Sequence, residues 1–539
     1  MKQRFFIRNT AFIFLLILSL VLPSCKEDDG SGYVFKMNIE SNPSNLDPQM
    51  AEDSESIIII TNMMEGLVKA LPSGGIAPAA AESFEMSEDG MTYTFYLRKD
   101  RQWESLAKFS KPVKADDFVY AFQRIFDAET NSPYSGDYMC IKNGGAVLNG
   151  LASPEELGVR AIDDHTVEFT LEYPYFDFLS LLTKTAAMPC SREFFNLTKG
   201  RYGMEADAAV SNGAFYLKEW NFDPYWDNNY IIMRRNKSYS ESDYVYPYSL
   251  NFFITGDAVS DASAFGSGDV DCYIADTVNE KLLSENKASS ANIKTAGLVF
   301  DLDSKYFGSR AVREALAKSI NREAYTHDLP ENLTAAFGII PDGITVQGKS
   351  YRDIIPDRSL SVYDTSAVEL WERALGSIGA ESIDNVKITV SDSFSGIDMI
   401  YDITGRWQND MLFYCGVEVV SQSEYESKLA EGNYDIALVE IGCDENSAYE
   451  FLKFFSDSRL FARNSNSGFI SSLNGIKTAV SLTDGAEKIK SSESAIIGDH
   501  IFIPLCYEKE YLVYDKNAAD LAYYPFTSSV WFGEAKYFD

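Results

Sequence analysis

Residues 343–350 read GITVQGKS, which satisfies the phosphate-loop pattern GxxxxGK[ST] letter for letter. Such a loop works by aiming backbone N–H groups and a helix N-terminus at the phosphates, so it needs a buried strand before it and a helix after it. Pro341 stands in the preceding segment and Pro356 follows within a few residues, so neither context is present. Adjacent carboxylates recur, at Asp116 and Asp117 and at Asp444 and Glu445. A glycosidase pair must face across a cleft, whereas neighbouring carboxylates in an acidic chain are usually solvated. The three histidines, His165, His327 and His500, are too far apart for local metal-ligand spacing, and no GxSxG nucleophile elbow occurs. These patterns supply no support for catalysis, a metal or a cofactor, and the chain is not expected to be an enzyme.

The elements that would position any such site alternate between strand and helix. Residues 33–40, 92–98 and 167–171 follow the two-residue strand period, with a turn at Asp163, Asp164 and His165. Residues 116–126, 309–320 and 366–375 carry apolar side chains at three-and-four spacing and predict helices. Stretches rich in Ser or Gly, 284–290 and 464–472, read as surface loops. The class is mixed α/β, and no 20 to 50 residue repeat points to a solenoid or propeller. With 539 residues, 45% of them hydrophobic, the chain exceeds one comfortable core and can fill two or three domains. Eighty acidic against 47 basic side chains give a net charge of −33, which excludes a nucleic-acid footprint and favours neutral or cationic partners. Six cysteines after residue 25 show no CxxC or CxH spacing and read as buried small hydrophobes.

The N-terminus sets the compartment. Lys2, Arg4 and Arg8 precede an apolar run over 11–22, too short to span a bilayer but suited to the h-region of an export signal. Leu22, Pro23, Ser24 and Cys25 follow and resemble a bacterial lipobox, in which the cysteine thiol receives diacylglycerol and becomes the mature N-terminus. The expectation is a lipoprotein signal peptide over 1–24 and a polar, glycine-bearing tether over 25–32. The mature chain would then be an extracytoplasmic lipoprotein on a membrane surface or in the periplasm. A plain secretory signal with an incidental cysteine is the alternative.

A series of short segments runs nearly end to end: NLDP from Asn45, EGLV from Glu65, AESF from Ala81, DGMTYTFYLR from Asp89, Trp103, VKADDFVY from Val113, and Arg124. SNGAFYLKEW from Ser211, GDVD from Gly268, VREAL from Val312, Asn321 and Arg322, and IPL from Ile503 continue it. In order and spacing the chain resembles the extracellular solute-binding proteins of peptide ABC importers, the oligopeptide- and dipeptide-binding family. The resemblance implies an α/β periplasmic-binding-protein-like fold of two lobes joined by a hinge, plus an extra domain. Lobe I would comprise 33–54, 173–275 and 500–539, the extra domain 55–172, and lobe III 276–499. The implied function is capture of an extended oligopeptide by hinge closure and its delivery to permease subunits, by a monomer without cofactor or metal. Relatives of this fold that bind nickel complexes, haem or oligosaccharides leave a non-peptide solute open, and a cell-surface adhesion protein not engaged in import is a further alternative.

The resemblance also implies site residues. In Cys443, Asp444, then Phe451 and Leu452, the spacing matches the segment whose aspartate holds a peptide amine, so Asp444 is the implied anchor. A helix cap ahead of 447–455 is the alternative. Backbone groups of Glu440 and Gly442 would form a lip that pairs with the peptide. Asn212, Gly213 and Ala214 match a turn that brings backbone close to ligand, or else form an ordinary Asn-Gly turn. Tyr425, Tyr134 and Tyr138 are implied pocket walls, with plain packing the alternative for each. Leu438 stands where some oligopeptide binders carry an arginine for a ligand carboxylate, and Ile441 replaces a common tryptophan, which leaves recognition of the peptide C-terminus open.

Overall fold

The computed structural model describes residues 32–538 apart from 226–227, 257–258, 279, 357–359, 361–365, 444, 462–466, 480 and 528. The signal peptide expected over 1–24, Cys25 and the tether to residue 31, Asp444, and residues 464–466 of an expected loop therefore lie outside the described residues.

The largest sheet among the described residues has eleven strands, in the order Phe215–Asn221, Tyr230–Arg235, Ser249–Ile254, Val34–Ile39, Cys272–Ala275, Phe502–Tyr514, Lys287–Phe300, Ile436–Ile441, Val386–Ser391 and Cys415–Val420. Leu333–Ala335 pairs with Phe502–Tyr514 off this path. Val34–Ile39 is parallel to both Ser249–Ile254 and Cys272–Ala275, and Val386–Ser391 is parallel to both its neighbours. Two parallel sectors are thus joined by one long antiparallel pair, Lys287–Phe300 with Phe502–Tyr514. It is in register from Lys287 opposite Tyr514 to Val299 opposite Phe502, with shifts at Asn292/Lys294 and Ala296/Gly297. Such shifts bend and twist a strand locally, so the two sectors need not share one plane.

Burial follows from this arrangement. The strand Ile436–Ile441 is buried at every residue but Glu440 because it is covered on both faces, as parallel sheets are. Its alternate side chains feed different cores: Ile436 and Leu438 pack with Val312, Leu316, Trp371 and Trp407, whereas Ala437, Val439 and Ile441 belong to the larger core. A separate four-stranded antiparallel sheet, Ala81–Met86, Thr92–Leu97, Thr166–Thr170 and Val159–Asp163, is covered by the helix Ala115–Ile125. Phe122 of that helix meets Phe169 edge-on, with ring centroids 5.0 Å apart.

The helices expected at 116–126, 309–320 and 366–375 occur at Ala115–Ile125, Arg310–Ser319 and Ala367–Ile378. The two expected loops do not. Residues 287–290 begin the long central strand, and Ser467–Lys477 is a helix. Ser290 and Ser471 are exposed and Ser289 and Ser472 half-buried in these regular elements, where a polar side chain is tolerated and composition imitates a loop. The GITVQGKS segment is a hairpin: Thr345 and Val346 pair with Lys349 and Ser350 across Gln347 (φ 49°) and Gly348 (φ 75°). Two successive positive φ values make a primed turn, which the second-position glycine permits without strain. Only a four-residue helix, Tyr351–Ile354, follows it.

Candidate functional site

Several segments quoted from the sequence turn out to be partners. Asp47 of NLDP receives two hydrogen bonds from Arg124, Nη1 at 2.9 Å and Nη2 at 2.5 Å, and both side chains are buried. Glu65 of EGLV accepts from Arg101 Nε at 2.7 Å and from Tyr239 Oη at 3.2 Å. Burial pushes the Glu65 carboxyl up, against the downward pull of Arg101. Trp103 Nε1 donates to Asp117 at 2.9 Å, and the same carboxylate oxygen accepts from the Lys114 backbone N–H at the start of its helix. Burial raises Asp117 to about 6. Asp116 is exposed. The Asp116 and Asp117 doublet is therefore one helix-starting carboxylate and one solvated one, not a catalytic couple.

Of these residues, Glu65 and Tyr239 line a cavity of about 980 Å³. On one side it is lined by the chain at 52–76, the 133–137 and 180–188 segments, and aromatic residues of the C-terminal region, including Trp531. On the other it is lined by the hairpin from Asp342 to Ser350 and by the segment leaving the strand Ile436–Ile441. That last segment runs from Gly442 and Cys443 to Glu445 and Asn446 and enters the helix Ala448–Asp457. A crevice beyond the carboxyl end of a parallel strand is where α/β sheets commonly bind ligands.

Contacts cross between the two sides beside the cavity. Ser447 donates to Asp177 at 2.5 Å, Gln347 Nε2 donates to the Phe176 carbonyl at 2.6 Å, and Tyr175 donates to Glu450 at 3.2 Å. Thr345 is held by Asn446, its N–H donating to Oδ1 at 2.7 Å. Lys184, whose side chain is 18% exposed, lies 2.7 Å from Asp137 and also pairs with Glu445. Burial opposes the Lys184 charge, but Glu445 and Asp137 hold its pKa above the ordinary lysine range. Burial, reinforced by Glu450, drives Glu445 upward to about 7.

Of the residues implied by the sequence, Gly213, Ala214, Tyr134 and Gly442 line this cavity. Asn212 is fully buried beside it and clamps Glu65 at both ends, accepting from its N–H at 3.0 Å and donating to its carbonyl at 2.8 Å. Gly213 is required next to it, because a Cβ there would stand 2.9 Å from the Met63 carbonyl oxygen. Tyr134 donates its hydroxyl to the Ala51 carbonyl. Tyr138 is 0% exposed and donates to the Leu181 carbonyl at 3.0 Å, so its side chain is core. Tyr425, on the helix Gln422–Glu431, donates to the Leu438 carbonyl at 2.5 Å and is not part of the lining. The exposed Glu440 side chain lies beside Glu508, whose carboxyl rises to about 8 through burial and the Glu440 charge. Leu438 is core and does not reach the cavity. The N-cap of Ala448–Asp457 is Ser447, which accepts from the Glu450 N–H at 3.3 Å, so that helix end takes its cap from another residue than Asp444.

Sequence reasoning did not find Lys184, Asp137 or the Thr345–Asn446 link. Each stands in an unremarkable local context, and only Glu445 carried a signal, as a member of an acidic doublet.

Among known families, the bacterial extracellular solute-binding proteins, family 5 Middle, match residues 75–461. The dipeptide-binding protein DppE of Bacillus subtilis is 28% identical over 366 residues, 66% of this chain and 65% of DppE, just under two thirds of its length. The oligopeptide-binding protein OppA of the same organism is 25% identical over 566 aligned positions, 99% of both chains. Among solved structures, Listeria monocytogenes OppA bound to peptide superposes with a TM-score of 0.66 at 24% identity, over 94% of this chain and 100% of that one, a likeness of fold.

Proposed function

The chain belongs to the bacterial extracellular solute-binding proteins of family 5, and from that premise we propose that it captures extended oligopeptides and hands them to the permease of an ABC importer. The observation that carries this reading is the cavity itself. Its lining includes Ala291 of the long pair Lys287–Phe300 and Phe502–Tyr514, which joins the two parallel sectors, and strand-end backbone at Gly442. Bending at the register shifts of that pair would open and close the cavity, as hinge strands do. A peptide lying along the strand end would exchange backbone hydrogen bonds there, giving affinity that does not depend on side chains.

In this reading lobe I is 33–54, 173–275 and 500–539, the extra domain is 55–172, and lobe III is 276–499. The protein is a receptor and not an enzyme, monomeric, and held at the membrane through lipid on Cys25. Asp444 meets the peptide amine, backbone at Glu440 and Gly442 lines the lip, and Asn212 acts by fixing the turn that presents Gly213 and Ala214. Tyr134 is a cavity wall, whereas Tyr138 and Tyr425 serve packing.

Calorimetry on a free, N-acetylated and C-amidated peptide series tests the anchor. Acetylation and Asp444→Ala should each cost about 2–5 kcal/mol, the loss typical when one partner of a buried charge pair is removed. Amidation should change little, because Leu438 offers no charge to a carboxylate. Equal affinity of free and acetylated peptides would remove Asp444 from the site.

A further inference from the structure

The cavity is unevenly charged. Among the described residues, seven carboxylates and three lysines line it; five of the carboxylates, Glu52, Asp137, Glu445, Glu450 and Asp457, and two of the lysines, Lys184 and Lys453, are linked to one another. They act on one another as one wall: Glu445 feels Asp137 and Glu450, Lys453 feels Asp137 and Asp457, and Tyr134 feels Glu52 and Asp137. The protein's own lysine shows what this wall accommodates. The Lys184 ammonium is seated between Asp137, at 2.7 Å, and Glu445, and Lys453 pairs with Glu450 at 2.9 Å. Three lysines against seven carboxylates leave the lining net negative, with Glu52 and Asp457 at its exposed edge. The third lysine of the lining, Lys69, lies 5.2 Å from the ring centre of Trp531.

We propose that this wall selects peptides that carry a lysine or arginine side chain in addition to the terminal amine. The proposal rests on the peptide reading above and narrows its substrate class. A charge entering a partly enclosed site is screened far less than on an open surface, so an unbalanced wall rewards a cation and rejects an anion. Tyr134 adds an aromatic ring beside the same carboxylates, a surface on which a guanidinium or ammonium also gains. The overall charge of −33 would concentrate such ligands near the protein before they dock.

The test compares Ala-Lys-Ala, its uncharged isostere Ala-norleucine-Ala, and Ala-Glu-Ala by calorimetry on the full-length protein in low and high salt. The lysine peptide should bind at least about tenfold more tightly than the norleucine peptide, and the glutamate peptide most weakly, with the differences shrinking in high salt. Glu52→Gln with Asp457→Asn should reduce the lysine advantage without touching the Lys184 bridge. That variant's affinity for the norleucine peptide controls for folding. Equal binding of the lysine and norleucine peptides would overturn the proposal and leave the peptide reading standing. Binding of none of the three would overturn both.

Discussion

Removal of the Glu493 carboxylate should loosen the hairpin side of the cavity. Glu493 lies on the helix Leu482–Asp499 and is 0% exposed. Its Oε1 accepts from the backbone N–H groups of Ile339 at 2.7 Å and Ile340 at 3.0 Å and from Arg352 Nη2 at 2.6 Å. Its Oε2 accepts from Tyr351 Oη at 3.0 Å and Arg352 Nη1 at 3.2 Å. Residues 339–352 contain the whole hairpin, so one side chain ties that segment to the helix. Glu493→Ala strands a guanidinium that is 10% exposed and orphans two backbone donors, and breaking a buried pair this way costs about 3–5 kcal/mol. Glu493→Gln keeps one acceptor for the backbone donors but turns an N–H toward Arg352, and should cost about half as much. Tyr351→Phe removes a single bond and should cost about 1 kcal/mol. A chain of 539 residues need not unfold in one cooperative step, so the informative assay is local: hydrogen exchange of the Ile339 and Ile340 amides. At 1.36 kcal/mol per decade, Glu493→Ala should speed their exchange by about two to four decades, and Tyr351→Phe by less than one. Exchange within threefold of the parent protein in Glu493→Ala would refute the reasoning and place the strength of this segment in its apolar packing.

Lys349→Ala should leave peptide affinity and thermal stability unchanged within about 0.5 kcal/mol, since Lys349 is an exposed hairpin residue; micromolar ATP binding lost in that variant would reverse the hairpin reading. Because burial holds Glu445 at about 7, with Lys184 pulling down and Glu450 pushing up, a cation arriving beside it should expel its proton. Affinity for a lysine peptide, measured relative to the norleucine isostere, should therefore rise as pH increases from about 5.5 to 7, and Glu445→Gln should flatten the slope; a parallel profile for both peptides would count against the linkage. Metabolic labelling with a palmitate analogue should mark the parent protein and not Cys25→Ala, and equal labelling of the two would remove the lipid anchor.

Much of this molecule was legible locally. Helices such as Ala115–Ile125 declare themselves because burying one face imposes a 3.6-residue period, and strands such as Thr92–Leu97 because alternate side chains face opposite ways. The family segments were legible for a related reason: Asp47, Glu65, Trp103 and Arg124 fill buried hydrogen-bonded positions that tolerate few substitutes. The partners of these residues were not, since Asp47 with Arg124 and Glu65 with Tyr239 meet across 77 and 174 residues, and no local period records such a meeting. Polar composition misled at 287–290 and 468–472, where serines such as Ser290 and Ser471 are exposed on a regular strand and helix. GITVQGKS shows the converse, a string whose letters fit one backbone while its flanking prolines and the Gln347–Gly348 turn impose another. The face of a strand that a residue occupies follows from register, so only the folded sheet could send Leu438 into a core and leave Gly442 at the rim of the cavity. The charge of −33 is a property of the sequence, but its gathering around Lys184 is a property of the fold, because Asp137, Lys184 and Glu445 come together only when three distant segments pack.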